Sequence, residues 1–207
     1  MSHVALLTTR RPASSELLTA LPAGSLALRH RARQAGPNWS GLICVPLDSP
    51  DTEGVRSLAT SLDGDLVRAA LGRVQPGLDM WTPGSASGAA VHITEYIRSD
   101  PAQRAQYYAT QLTASGPAMR ELWETGPVQR FVGVEVIEDV VPGPGEPWDL
   151  LHVTSFSLRR LPRMLRWRRE FDRHAQAAGF ADMKTLSALW STQRTMDQVR
   201  STLLLAP

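Results

Sequence analysis

The chain has 207 residues, 43% hydrophobic and 20% charged, with a formal net charge of +2. That apolar share supports a packed core and excludes a disordered chain, and so small a net charge gives no electrostatic case for a nucleic-acid partner. Cys44 is the single cysteine, which excludes an internal disulfide and a cysteine-rich zinc site and fits a reducing cytoplasm.

In chain order, residues 3 to 9 (HVALLTT) read as a strand. They lack the basic and long apolar regions of a signal peptide. Pro12 and Ser14-Ser15 open a short helix that Pro22 and Gly24 end. Residues 25 to 31 form a second strand, Gly36-Pro37-Asn38 a turn, and residues 39 to 47 a third strand. Asp48 or Ser49 caps a helix predicted from Pro50 to about Leu71, with Gly64 as a weak break. A short strand covers 74 to 81. Thr82 to Ala89 is rich in Gly, Ser and Pro and has the composition of a linker.

The second half repeats the order. Residues 90 to 98 are a strand. Asp100 and Pro101 start a helix to about Trp123, kinked at Ser115-Gly116-Pro117. Residues 128 to 141 form a long strand of β-branched character, and 148 to 157 another after the Pro142-Gly143-Pro144-Gly145 loop. A basic helix runs from Leu158 to Ala178 and stops at Gly179. A further helical piece reaches Trp190, and 196 to 205 close the chain as a strand. No apolar run approaches the ~20 residues needed to span a bilayer.

The spacing of His3 and Pro12 matches that of His92 and Pro101, and Trp39 and Trp148 each open a third strand. The expectation is therefore an α+β chain of two ferredoxin-like β-α-β-β-α-β halves, 1–82 and 90–207, packed sheet to sheet as an α+β barrel. A small-molecule pocket would lie between them.

The strands Val91 to Tyr96 and Trp148 to Phe156, with the closing Arg200 to Leu204, resemble the dimeric α+β barrel superfamily. The closest likeness is to antibiotic-biosynthesis monooxygenase-like proteins, in the tandem-duplicated form of angucycline ring-opening oxygenases. The resemblance implies an oxygenase that uses O2 without a metal on a polycyclic aromatic polyketide phenol or hydroquinone, with ring cleavage within its range. Such a protein requires no cofactor, although a reduced flavin fits the family too. It admits a flavin reductase as partner and leaves open whether the barrel closes within the chain or across a homodimer, while an acidic carrier protein is suggested by the basic helix from Leu158 to Ala178. Phe156 stands where family oxygenases often carry tryptophan, so a tryptophan-dependent mechanism is not expected. His152 matches the polar position four residues earlier.

Alternation puts Leu150, His152, Thr154 and Phe156 on one strand face. His92, Thr94 and Tyr96 share a face of theirs, and both polar faces are expected to point into one cavity. Histidine is suited to take a phenolic proton near neutral pH. On this reading His152 is the base, while His92 and Tyr96 orient or stabilise the oxyanion. Trp148 and Phe156 stack on a planar ring, and Thr94, Thr154 and Trp81 complete the substrate wall. A cyclase or isomerase using the same base, and a non-catalytic binding protein, stay open as alternatives. His30 and His174 sit among arginines and are expected to be exposed. No metal is expected, since HExxH spacing is absent. P-loop, GxGxxG and GxSxG patterns are absent as well. The arginine-rich helix from Leu158 reads as a solvated face, with a docking surface for an acidic partner as the alternative.

Overall fold

The structure is a computed structural model that describes residues 2–29, 39–62, 64–80, 90–144, 147–157, 159–160 and 166–203. Strand β1 (His3–Thr9) is apolar from Val4 to Leu7 because both of its faces are covered. Helix α1 (Ser15–Ala20) starts at Ser14, whose Oγ accepts the Leu17 N–H, satisfying one of the donors that a first helical turn leaves free. Strands β2 (Leu26–Arg29) and β3 (Gly41–Leu47) follow. Helix α2 (Thr52–Thr60) is capped by Asp51, and strand β4 (Leu66–Met80) ends the first half.

The second half begins with β5 (Ala90–Ser99). Helix α3 (Arg104–Thr110) runs into a π-helical turn (Gln111–Ser115) and then α4 (Gly116–Glu124). Strands β6 (Val128–Val141) and β7 (Leu150–Ser157), helices α5 (Trp167–Ala177) and α6 (Met183–Gln193), and strand β8 (Arg194–Leu203) complete the chain. No helix among the described residues is long and apolar enough to cross a membrane.

All eight strands form one antiparallel sheet in the order β2-β3-β1-β4-β6-β7-β5-β8. Each half thus has the same internal order: second, third, first and fourth strand. The halves are not two separate sheets laid face to face. They join edge to edge, through hydrogen bonds between β4 and β6. The end strands β2 and β8 come within 8 Å of each other at some Cα atoms without pairing, so the sheet curls and gains an inner and an outer face.

The inner face is filled by one cluster that includes Leu6, Cys44, Tyr96, Val134 and Leu151. On the outer face, α2 covers Ala5, Leu7 and Leu71 with Val55 and Ala59. The second-half helices cover Ile97 and Leu150 with Tyr107, Leu186 and Trp190.

Two expectations change here. The predicted helix to Leu71 stops at Thr60, and Leu66 already begins β4. Gly64, with φ of +72°, turns the chain out of the helix. Leu66 to Leu71 favour a helix by propensity, but as a strand they pair with β1 and bury alternate side chains on two cores; tertiary pairing outweighs propensity. The expected kink near Pro117 is an extra backbone residue per turn just before it, the π-helical turn. β4 also carries an irregularity. Gln75 to Leu78 bulge out between the pairs Val74↔Val134 and Asp79↔Val132, with Gly77 at φ of +87°. The boundary expected between the halves lies at 82–89, outside the described residues.

Gly72 shows how tightly the inner face is filled. A Cβ there would sit 2.4 Å from Val134 Cγ1 and 3.2 Å from Val4 Cγ1. Gly72→Ala is therefore expected to cost about 1–3 kcal/mol by overpacking, read as a lower urea midpoint at unchanged slope.

Candidate functional site

Register decides which candidate residues meet. β5 and β7 pair antiparallel, with His152 opposite Glu95, Thr154 opposite Ile93 and His92 opposite Ser155. Directly opposed residues of an antiparallel pair share a face. His152, Thr154 and Phe156 therefore lie on the outer, helix-covered face, while His92, Thr94 and Tyr96 lie on the inner face. The expected single cavity lined by both sets is not what the sheet builds. Trp148 packs in the inner cluster and Phe156 in an outer one, so the two cannot sandwich one ring. Trp81 lies outside the described residues, as does His30.

On the outer face, His152 forms a dyad with Glu95. Its Nδ1 lies 3.1 Å from Glu95 Oε2. Burial pushes the Glu95 carboxyl up, but the hydrogen bond and charge of His152, with Arg194 nearby, more than offset this and hold it below its ordinary value. Glu95 is thus a carboxylate, which only accepts. The His152 Nδ1 must therefore carry the hydrogen and donate it. In the neutral ring that leaves Nε2 as a lone-pair acceptor. Nε2 is buried and has no protein hydrogen-bond partner. The His152 side chain is 3% exposed and that of Glu95 30%, so the dyad runs from the surface inward.

The surroundings are polar and aromatic together. Phe131 meets the imidazole edge-on with ring centroids 5.8 Å apart. Gly133 stands opposite His152 on β6, and the unpartnered Oε1 of Gln75 lies 2.9 Å from where a Gly133 side chain would start. The bulge in β4 is what carries Gln75 there. Arg194, which stands opposite Ser99 and whose charge reaches Glu95, donates to the Tyr107 hydroxyl at 2.6 Å. Burial pushes the Tyr107 phenol up, with Arg194 opposing and Glu95 adding to the rise. Gln111, the first residue of the π-helical turn, hydrogen-bonds the same Tyr107 and is almost fully buried. π-Helical turns are frequent at functional sites, and this one faces the dyad's side of the sheet.

The inner face holds a second polar group. His92 Nδ1 lies 2.6 Å from Ser155 Oγ, and its Nε2 has no protein partner. Burial first, and the Arg130 charge second, pull the His92 imidazole down to about 4. It is a neutral ring through the physiological range. Arg130 stands opposite Ser155 on β6, and its charge also reaches Cys44 on the facing wall. Burial pushes the Cys44 thiol up to about 12, so it is a thiol and not a nucleophile. Tyr96 is clamped edge-on between Trp39 at 5.6 Å and Trp148 at 5.2 Å; it is a core tyrosine.

His174 is not the exposed residue expected. It is half-buried, with Nε2 3.0 Å from Glu121. The arginines beside it are paired: Arg173 with Glu121 and Glu170, and Arg169 with Glu170. A cavity of about 570 Å³ lies here, lined by Glu121, Leu122, Thr125, Pro127, Arg166, Arg169 and Glu170. Its walls carry both charge signs, so this part of the basic helix is locally neutralised. Leu158 and residues 161 to 165 of that stretch lie outside the described residues.

Glu95, Gln75, Tyr107 and Arg194 were not among the residues expected from the sequence. Glu95 had a signal, a carboxylate inside the apolar strand Val91 to Ile97. The others depend on the bulge, the π-helical turn and the β5–β8 pairing.

No protein-family model matches the chain, and no curated protein matches its sequence. The fold is similar to the crystal structure of a protein from Lactobacillus acidophilus NCFM described as a "putative monooxygenase". The TM-score is 0.54 at 8% sequence identity, over 99% of this chain and 94% of that one. At that identity the likeness is one of fold.

Proposed function

We propose that the chain is an oxygenase that uses O2 without a metal on an electron-rich aromatic phenol or hydroquinone of the polycyclic polyketide class. The observation that carries this reading is the buried His152 Nε2, without a protein partner, on a ring whose Nδ1 lies 3.1 Å from Glu95 Oε2. The monooxygenase description of the protein of similar fold supports it. The ferredoxin-like reading of the two halves belongs with it, the halves closing one barrel within a single chain.

The phenolic proton passes to His152 Nε2, and Glu95 stabilises the imidazolium. The phenolate gives one electron to O2. The resulting phenoxyl radical and superoxide combine, forming one C–O bond and a peroxide anion. The proton held on His152 returns to that peroxide. Where the carbon bore hydrogen, loss of water leaves a ketone, so CH2 plus O2 becomes C=O plus H2O. The substrate loses four electrons and the two oxygen atoms take four. The substrate is the reductant, so this reading requires no flavin. Arg194 and Tyr107 supply donors near the developing anion. Phe131 and Phe156 offer ring surface on the outer face, and Thr154 of β7 stands opposite Phe131. His92, Thr94, Tyr96 and Trp148 act here as inner-face structure.

The test is turnover of a polycyclic phenol or anthrone under 18O2 with oxygen uptake followed. One O2 consumed and one labelled oxygen retained per product is the expected result. Turnover without oxygen uptake would make the protein a cyclase or isomerase and overturn the reading.

A further inference from the structure

At the end of the barrel where Trp39 and Trp148 clamp Tyr96, a separate cavity of about 100 Å³ opens. Its walls are Trp39, Trp148, Val67, Arg68 and Asp139, and Pro142, Pro144 and Pro147 form a stiff rim. Arg68 is 5% exposed. Its Nε donates to Asp139 Oδ1 at 2.6 Å and its Nη2 to the Trp148 carbonyl at 3.0 Å. The guanidinium also lies 4.1 Å over the Trp148 ring. Its Nη1 is buried and has no protein acceptor.

We propose that this cavity binds a neutral, planar, single-ring carbonyl compound, such as a carboxamide or lactam, whose oxygen accepts from Arg68 Nη1. A buried N–H without an acceptor costs free energy, and a ligand carbonyl removes that cost. The volume is about three times the ~30 Å³ share of one water, which suits one ring and not several. Charge selects a neutral ligand. Arg68 is already neutralised by Asp139, so an anion would bring an uncompensated negative charge next to that carboxylate. Indole and proline walls favour a flat apolar body. The site goes beyond the proposed oxygenase chemistry. It faces inward at the barrel end, whereas His152 faces the helices.

The test follows the indole N–H signals of Trp39 and Trp148 by NMR as benzamide and, separately, benzoate are added. The expected result is saturable shifts of both signals with benzamide, at least about tenfold weaker with benzoate. In Arg68→Met the benzamide affinity should fall at least about tenfold. Val67→Phe fills the cavity while keeping Arg68, and should abolish the shifts in a protein with unchanged circular dichroism. Affinity retained in His152→Ala separates this site from the oxygenase centre. No saturable shift, tighter binding of benzoate, or undiminished binding in Val67→Phe would overturn the proposal.

Discussion

His152→Ala is expected to lower kcat/KM for oxygenation by about 10²–10⁴-fold, the range for loss of a positioned general base. Glu95→Gln should lose less, because the amide can still accept the Nδ1 hydrogen but no longer balances the imidazolium charge. His152→Ala should also lower the urea midpoint, because it empties a buried position and leaves the Glu95 carboxylate without its partner, so kcat/KM is read where both variants are fully folded. Full activity in His152→Ala would remove the base from the account. Full activity in Glu95→Gln would show that the carboxylate does not act through the ring.

Acidification should destabilise the fold through His92, independently of catalysis. In the native state its imidazole is held at about 4, against an ordinary 6.5, because the neutral ring is buried beside Arg130. Between these values the unfolded chain binds the proton and the native chain does not. Stability therefore rises with pH across the window. The contribution is complete above pH 6.5 and lost as pH falls toward 4. Its size is about 3 kcal/mol. Glu95, held below its ordinary value, acts in the same direction but in a lower window, below about pH 4.5. Urea unfolding at pH 7.5, 6 and 4.5 reads the slope. His92→Gln removes the titrating group, and its stability should change much less between pH 6.5 and 4.5. A slope unchanged by that substitution would place the proton uptake elsewhere.

Much of the architecture was legible from pattern. His3–Thr9 and the β-branched Val128–Val141 appear as strands over the bounds expected from the sequence. The region after Thr60 was not legible. Local propensity at Ala69-Ala70-Leu71 favours helix, and only the pairing with β1 shows why it is a strand. The site was legible in part. Alternation grouped His152 with Thr154, and His92 with Tyr96, and both groupings hold within their strands. What alternation within one strand cannot supply is the register between two. A shift of one residue exchanges the faces, and the pairing of His152 with Glu95, not with Thr94 or Tyr96, parts the two histidines. Gln75 reaches the dyad's side only because four residues bulge from β4. Tyr107 and Gln111 face it because of the π-helical turn. Ser115-Gly116-Pro117 marks a break in the helix but not its π-helical form, and the bulge in β4 follows from its pairing with β6, which is not local.

The chemistry is expected on the helix-covered face at His152 and not inside the curled sheet. A crystal structure of the protein with a polycyclic phenol bound under anaerobic conditions tests it most directly. The phenolic oxygen is expected within about 2.6–3.2 Å of His152 Nε2, with Glu95 still on Nδ1. A phenolic oxygen on His92 at the inner face, with His152 untouched, would contradict it.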